Sequence, residues 1–201
     1  MRWIVFDYGE VISKPTEALP TLAGLLGVTA EALSPAYWAH RHSYDLGLPD
    51  AEYWRVVAAD AGSAVPVDEE LAARLTEVDV AGWMHPEPAT LALLAELDEA
   101  GVPLALLSNA PSSFGRVAER QAWTRHFRHL VFSGDLGVGK PDERIWRELA
   151  RRLDARPEDC VFLDDRQVNV DGAVAAGMAG VLWRGSAPAR DELVRLSVLG
   201  G

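Results

Sequence analysis

The chain has 201 residues, of which 49% are apolar and 24% are charged, a composition typical of a folded globular protein. Its 19 lysines and arginines against 30 aspartates and glutamates give a net charge of −11, which argues against general binding to nucleic acids or anionic membranes. The single cysteine, Cys160, excludes an internal disulfide. The first residues lack the apolar stretch of a signal peptide, and no run approaches the ~18 apolar residues of a membrane span. We therefore expect a cytoplasmic protein.

Five short apolar runs without alternation are typical of strands that are buried on both faces of a parallel sheet. They cover residues 3–6, 103–107, 130–132, 160–163 and 180–183. Helical patterns at 88–100 and 141–153 lie between the later runs, and the second begins with a proline and acidic residues, as first helical turns often do. This alternation predicts an α/β fold with a doubly wound parallel sheet.

The segment between the first and second runs is different, because it contains no convincing strand. Its four helical patterns cover residues 17–26, 30–44, 50–61 and 68–78. The segment is too long for a simple crossover between neighbouring strands. We therefore predict a helical cap subdomain at 14–85, inserted into an α/β core made of residues 1–13 and 86–201.

Polar side chains lie at the carboxyl ends of four predicted strands. Because ligands of doubly wound sheets bind beyond these ends, we expect the polar groups to meet at one edge of the sheet. In chain order they are Asp7, Ser108, Asn109, Lys140, Asp164 and Asp165.

This set of groups suits phosphoryl transfer. A carboxylate at the tip of a strand, such as Asp7, can act as a nucleophile. A second carboxylate beside it, from Asp165, would repel it unless a divalent cation lay between them, and Mg²⁺ prefers oxygen ligands of this kind. Lys140 and the Ser108 hydroxyl can hold the remaining charge of a transferring phosphoryl group.

Four motifs, in this order along the chain, resemble those of the haloacid dehalogenase-like (HAD) hydrolase superfamily. They read Ile4-Val5-Phe6-Asp7-Tyr8-Gly9-Glu10-Val11, Leu106-Leu107-Ser108-Asn109, Gly139-Lys140-Pro141-Asp142 and Val161-Phe162-Leu163-Asp164-Asp165. The resemblance covers residues 1–13 and 101–183. It implies a Rossmann-like core with a helical cap inserted after the first motif, in the position of residues 14–85.

The resemblance also implies a role for each residue of the site. Asp7 would be the nucleophile and would bind Mg²⁺ together with Asp165 and the backbone carbonyl of Gly9. Ser108 and Lys140 would bind the phosphate and neutralise its charge during catalysis. The remaining site residues would be Asn109, which binds phosphate or substrate, and the supporting residues Asp164, Glu10 and Asn169, the last of which could orient water on the metal.

Gly9 departs from the family pattern, because most phosphatases of the family carry an aspartate here that protonates the leaving group. General acid catalysis contributes about 10²–10⁴-fold to a rate. Three alternatives remain: Glu10 or a cap histidine, His40 or His42, supplies the proton; the substrate needs no acid; or the protein binds a phosphorylated ligand without turnover. We favour retained activity, since active phosphatases that the sequence resembles also have glycine at this position.

The sequence thus predicts a Mg²⁺-dependent phosphatase that hydrolyses a small phosphorylated metabolite through an aspartyl-phosphate. The alternatives are a catalytically weak relative that binds a phosphorylated ligand or partner, and a metal-independent 2-haloacid dehalogenase. The pair Asp164-Asp165 argues against the dehalogenase, since those family members use no metal and do not keep the pair. We expect no nucleic-acid or membrane partner, and a monomer or homodimer.

Overall fold

The computed structural model of the protein describes residues 2–200, and a parallel sheet of five strands lies at its centre. In chain order the strands are β1 (Trp3–Phe6), β2 (Leu104–Ser108), β3 (His129–Phe132), β4 (Cys160–Asp164) and β5 (Ala179–Leu182). Their order across the sheet is β3-β2-β1-β4-β5. The predicted doubly wound sheet is confirmed, and its order reverses at β1, where ligands of such sheets bind.

Helices connect the strands and fill the segment after β1. None of those between residues 2 and 200 is both long enough and apolar enough to cross a bilayer. They are α1 (Leu19–Leu26), α2 (Ala30–Asp45), α3 (Asp50–Asp60), α4 (Glu69–Trp83), α5 (Pro88–Glu99), α6 (Ser112–Ala118), α7 (Glu143–Leu153), α8 (Gln167–Ala175) and α9 (Ser186–Arg195), with 3₁₀ turns at Ala122–His126, Ser133–Asp135 and Pro157–Asp159.

Two apolar layers enclose the sheet, because successive side chains of a strand point to opposite faces. Ile4 and Phe6 of β1 lie in one layer, which α5 and α9 cover. Val5 lies in the other layer, with Phe162 of β4 and side chains of α7 and α8. The unalternating apolar pattern of the strands follows from this burial on both faces.

Helices α1–α4 pack around an apolar cluster of their own, whose buried members lie between residues 18 and 75. Aromatic rings dominate it, and Tyr44 and Tyr53 stack with their centroids 4.0 Å apart. An antiparallel bridge between Ser13 and Pro86 joins the two connections to the sheet. We propose residues 14–85 as the cap subdomain because the bridge and the separate cluster set this segment apart.

Several helix boundaries differ from the prediction, and two of these differences bear on the site. Helix α4 continues to Trp83, five residues beyond the expected end. Helix α7 begins at Glu143 and not at Pro141, since the carboxylate of Asp142 accepts a hydrogen bond from the Arg144 backbone N–H at 2.8 Å and caps the helix. The prediction that Pro141 starts this helix is wrong, and Pro141 belongs to the loop that carries Lys140.

Candidate active site

A cavity of about 600 Å³ opens at the carboxyl edge of the sheet, between the core and helices α2 and α4. Its volume is within the range of small-molecule sites, about 300–1,000 Å³. The structure thus brings together nearly all of the site residues predicted from the sequence. Those that line the cavity are Asp7, Gly9, Glu10, Ser108, Asn109, Lys140, Asp165 and Asn169.

Lys140 lies between two buried carboxylates. Its Nζ is 2.7 Å from Asp7 Oδ1 and 2.6 Å from Asp164 Oδ2, and its side chain is 1% exposed. Burial on its own would lower the pKa of Lys140, but the attraction of Asp7 and Asp164 raises that pKa above its ordinary value. The ammonium group therefore stays charged and holds one oxygen of Asp7 in place.

Asp7 directly follows β1 and is buried. Burial raises its pKa to about 7; the negative charge of Asp164 acts in the same direction, while Lys140 opposes the shift. Two carboxylates around one ammonium leave a net negative charge among buried side chains. Such a site is stabilised by a further cation.

The adjacent residues Asp164 and Asp165 have different surroundings. Asp164 is fully buried at the end of β4. Its carboxylate accepts hydrogen bonds from Lys140 Nζ at 2.6 Å, from the Arg166 backbone N–H at 2.8 Å and from Asn169 Nδ2 at 3.0 Å. Asp165 is half-buried and faces the cavity, and burial together with Asp164 raises its pKa. Asp164 therefore holds Lys140 and Asn169 in position through hydrogen bonds, whereas Asp165 is available to a ligand.

The geometry fits a magnesium ion. One carboxylate oxygen from each of Asp7, Asp164 and Asp165 lies within 4.8 Å of the other two. Asp7 and Asp165 are the pair that can take a cation, since Lys140, Asn169 and a backbone N–H already occupy the oxygens of Asp164. Asn169 Oδ1 is buried without a hydrogen-bond partner among the described residues, while its Nδ2 holds Asp164. Mg²⁺ takes carboxylate oxygens and retains several waters, and such a water would satisfy the Asn169 oxygen.

Asn109 and Gly139 shape the loop that carries Lys140. The Lys140 backbone N–H donates to Asn109 Oδ1 at 2.8 Å, and Asn109 Nδ2 donates to the Lys140 carbonyl at 2.9 Å. A Cβ on Gly139 would lie 2.8 Å from Asn109 Oδ1, so only glycine permits this approach. Ser108, the last residue of β2, is buried beside this loop and lines the cavity.

The candidate proton donors named from the sequence lie in different places. Glu10 and His42 are exposed and line the cavity. His40 does not line it, because it faces another surface, where its Nε2 is 3.2 Å from Asp60 Oδ2. Gly9 lines the cavity, and a Cβ built there would have a single contact, 3.9 Å from Trp83 Cζ3. The space around Gly9 therefore does not exclude a Cβ at this position.

Helices α2 and α4 contribute a buried ionic network that the sequence did not reveal. Arg41 of α2 donates through Nε to Asp45 Oδ1 at 2.9 Å and through Nη1 to Asp79 Oδ2 of α4 at 2.9 Å. The Tyr37 hydroxyl donates to Asp79 Oδ1 at 2.7 Å and accepts from Trp83 Nε1 at 3.1 Å. No local motif marks these residues, because their meeting depends on how α2 packs against α4.

Comparisons with known proteins agree with this architecture. A phosphoserine phosphatase of Thermus thermophilus is 33% identical over 143 residues, which are 69% of this chain and 56% of that protein. The chain spans about half the length of the first curated relatives it matches. The phosphatase activities in the names of these relatives are therefore statements about the relatives.

Two solved structures share the fold. An L-2-haloacid dehalogenase from Xanthobacter autotrophicus, with chloropropionic acid covalently bound, superposes with a TM-score of 0.73 and 19% identity, over 99% of this chain and 84% of that one. A HAD family enzyme from Bacteroides thetaiotaomicron, in complex with magnesium and inorganic phosphate, superposes with a TM-score of 0.71 and 14% identity, over 92% of this chain and 95% of that one. The sequence profile of haloacid dehalogenase-like hydrolases matches residues 1–177. The chain therefore belongs to the haloacid dehalogenase-like hydrolase family.

Proposed function

We propose that the protein is a Mg²⁺-dependent phosphatase that hydrolyses a small phosphorylated metabolite through an aspartyl-phosphate on Asp7. The observation that carries the proposal is the cluster in which Lys140 joins Asp7 to Asp164 while Asp165 offers a third carboxylate within 4.8 Å. One ammonium group cannot neutralise three carboxylates. A phosphate dianion would be repelled from such a site unless a second cation were present.

Asp7, Asp165 and the backbone carbonyl of Gly9 would hold the magnesium ion. When bound, Mg²⁺ supplies positive charge that neutralises the carboxylates and the phosphoryl oxygens. Asp164 stays outside this set because Lys140, Asn169 and a backbone N–H already occupy its oxygens. Asn169 would bind water at the edge of the site through its unpartnered Oδ1.

In the first step Asp7 attacks the phosphorus atom. Lys140 holds Asp7 Oδ1, which leaves Oδ2 to form the new bond in line with the leaving oxygen. The bond between phosphorus and the alcohol oxygen breaks, and that oxygen takes up a proton. Lys140 and the Ser108 hydroxyl stabilise the charge on the phosphoryl oxygens.

In the second step water attacks the phosphorus of the aspartyl-phosphate. The bond to Asp7 breaks, inorganic phosphate leaves, and the carboxylate of Asp7 is regenerated. Asn109 holds the Lys140 loop in the same position through both steps, because its side-chain amide bonds both the backbone N–H and the backbone carbonyl of Lys140.

Gly9 supports a second candidate, a catalytically weak protein that binds a phosphorylated ligand. The acid that most phosphatases of the family carry at this position is absent, and turnover would then be slow unless another group supplies the proton. A dehalogenase is the third candidate, and the carboxylate cluster weighs against it because dehalogenation in this family needs no metal.

The test is phosphate release from a panel of phosphorylated sugars, nucleotides and small metabolites, with Mg²⁺ and with a chelator. We expect turnover that needs Mg²⁺ and that disappears in Asp7→Asn. Asp171→Asn is a matched control, since Asp171 is exposed on α8 and, among the described residues, its carboxylate bonds only Gln167. Binding without turnover would favour the weak candidate, and halide release from 2-chloropropionate without metal would favour the dehalogenase.

A further inference from the structure

The cavity contains a cap carboxyl, Asp45, that neither the motifs nor the proposed mechanism uses. Asp45 is the last residue of α2, lines the cavity opposite the core, and has a side chain only 13% exposed. Its Oδ1 accepts the hydrogen bond from Arg41, whereas no described residue bonds its Oδ2. One oxygen is therefore left to the cavity.

The backbone of Asp45 is anchored to the core beside the phosphate site. The fully buried Ser133 donates through Oγ to the Asp45 carbonyl at 2.5 Å. Ser133 Oγ in turn accepts a hydrogen bond from the Ala110 backbone N–H at 3.0 Å. Ala110 directly follows Ser108-Asn109 at the end of β2. Asp45 thus has a fixed position relative to the residues that would hold the phosphoryl group.

The surroundings of Asp45 allow it to carry a proton. Arg41 is shared between Asp45 and Asp79, so the cluster of one guanidinium and two carboxylates is net negative. Asp79 also accepts from the Tyr37 hydroxyl, and Arg41 keeps Asp79 as a partner when Asp45 is neutral. The C-terminal end of α2 further disfavours negative charge through the helix dipole. Burial raises the pKa of Asp45 to about 7, against the attraction of Arg41.

We infer that Asp45 is the general acid that replaces the one missing at Gly9. Its carboxyl O–H gives a proton to the ester oxygen as the bond to phosphorus breaks, which releases the alcohol and leaves Asp45 as a carboxylate. In the second step the carboxylate accepts a proton from the attacking water, which restores the acid. Glu10 and His42 line the same cavity but are exposed to solvent, whereas Asp45 is sheltered.

This inference rests on the proposed phosphatase function, and the reactivity of the leaving group tests the two separately. Phenyl phosphate releases phenol, which has a pKa of about 10 like tyrosine and needs protonation, whereas 4-nitrophenyl phosphate releases a stable anion. For Asp45→Asn we expect kcat/KM to fall by about 10²-fold or more on phenyl phosphate and by less than about threefold on 4-nitrophenyl phosphate. The substituted amide would keep an oxygen that accepts the Arg41 hydrogen bond, and a thermal melt checks the fold.

Asp50→Asn is the structural control, because Asp50 bonds Tyr44 and Ser113 at the same cap–core interface but does not line the cavity. It should affect both esters alike. Equal loss on the two esters in Asp45→Asn, or no loss on either, overturns the inference while leaving the phosphatase intact. Selective loss in Glu10→Gln or His42→Gln instead assigns the acid elsewhere. If the wild type releases phosphate from neither ester nor the panel, the proposed function itself fails.

Discussion

Asn109 and Lys140 are joined by two hydrogen bonds, from the Lys140 backbone N–H to Asn109 Oδ1 at 2.8 Å and from Asn109 Nδ2 to the Lys140 carbonyl at 2.9 Å. The end of β2 therefore fixes the backbone of the loop whose side chain reaches Asp7. This link explains why an asparagine follows Ser108: its two-ended amide can bond a backbone donor and a backbone acceptor of the same residue.

Asn109→Ala should impair both stability and catalysis. Loss of both hydrogen bonds leaves the backbone of Lys140 without partners, which costs about 1–3 kcal/mol of unfolding free energy. We also expect a lower kcat, because Lys140 Nζ loses its fixed distance to Asp7. Urea unfolding and steady-state kinetics measure the two effects. Gly139→Ala should act in the same direction through its clash with Asn109, and wild-type behaviour of both variants would contradict this role of the loop.

Asp165→Asn should weaken magnesium binding. Lys140 pairs with Asp7 and Asp164, whereas Asp165 forms no ion pair with any residue between 2 and 200. Its substitution therefore removes a candidate metal ligand and leaves the buried ion pairs intact. We expect the dissociation constant for Mg²⁺, measured by titration calorimetry, to rise at least about tenfold. Asp171→Asn, on the exposed face of α8, should bind Mg²⁺ like the wild type. Unchanged affinity in Asp165→Asn would remove Asp165 from the proposed metal site.

Gly9→Asp should increase the turnover of esters with poor leaving groups. The backbone of Gly9 needs no left-handed conformation, and a Cβ there would make an ordinary van der Waals contact with Trp83 at 3.9 Å, so neither the backbone nor the first side-chain atom opposes the substitution. The new carboxyl would restore an acid at the position where most phosphatases of the family have one. We expect it to recover activity on phenyl phosphate when combined with Asp45→Asn. Failure of this double variant to exceed Asp45→Asn alone would argue that proton transfer does not limit the reaction.

Stability should depend on pH through Asp45. The groups that face it are Arg41 of α2, Asp79 of α4 and Lys140 of the core, and burial raises its pKa to about 7 from an unfolded value near 3.9. The folded state therefore binds the proton more tightly than the unfolded chain. The stabilisation is complete below about pH 4 and is lost as the pH rises through about 7.

Urea unfolding in chelator between about pH 4 and pH 8 tests this expectation. The unfolding free energy of the wild type should fall as the pH rises, and Asp45→Asn should make this fall less steep by up to about 1.4 kcal/mol per pH unit. Asp50→Asn serves again as the control at the same interface. A slope identical to the wild type in Asp45→Asn would show that Asp45 is ionised throughout this range.

The strands and the core residues of the site could be predicted from the sequence because their signals are local. An apolar run without alternation marks a strand such as β4, and the polar residue after it, Asp164 or Asp165, falls at the sheet edge by the geometry of parallel strands. The different surroundings of these two neighbours could not be predicted. They depend on Lys140 and Asn169, which reach Asp164 from other elements.

The side of the cavity that α2 and α4 form could not be predicted, because contacts between elements determine it. Helix α4 runs past residue 78 to Trp83 although Asp79 and Gly82 are poor helix formers. Packing overrides this propensity: a Cβ on Gly82 would lie 2.5 Å from Ala18 Cβ, so glycine permits the close approach of α4 to the segment before α1. The same extension places Trp83 in the cavity and Asp79 beside Arg41.

An acid-quenched single turnover shows whether Asp7 becomes phosphorylated. The protein in excess, with Mg²⁺ and 4-nitrophenyl phosphate, is quenched at early times and digested, and the peptide that contains Asp7 is examined by mass spectrometry. We predict a transient phosphoryl group on Asp7 that forms as fast as 4-nitrophenol is released and that is missing in chelator. Release of 4-nitrophenol with Asp7 unmodified at every time, or undiminished release by Asp7→Asn, would contradict an aspartyl-phosphate on Asp7.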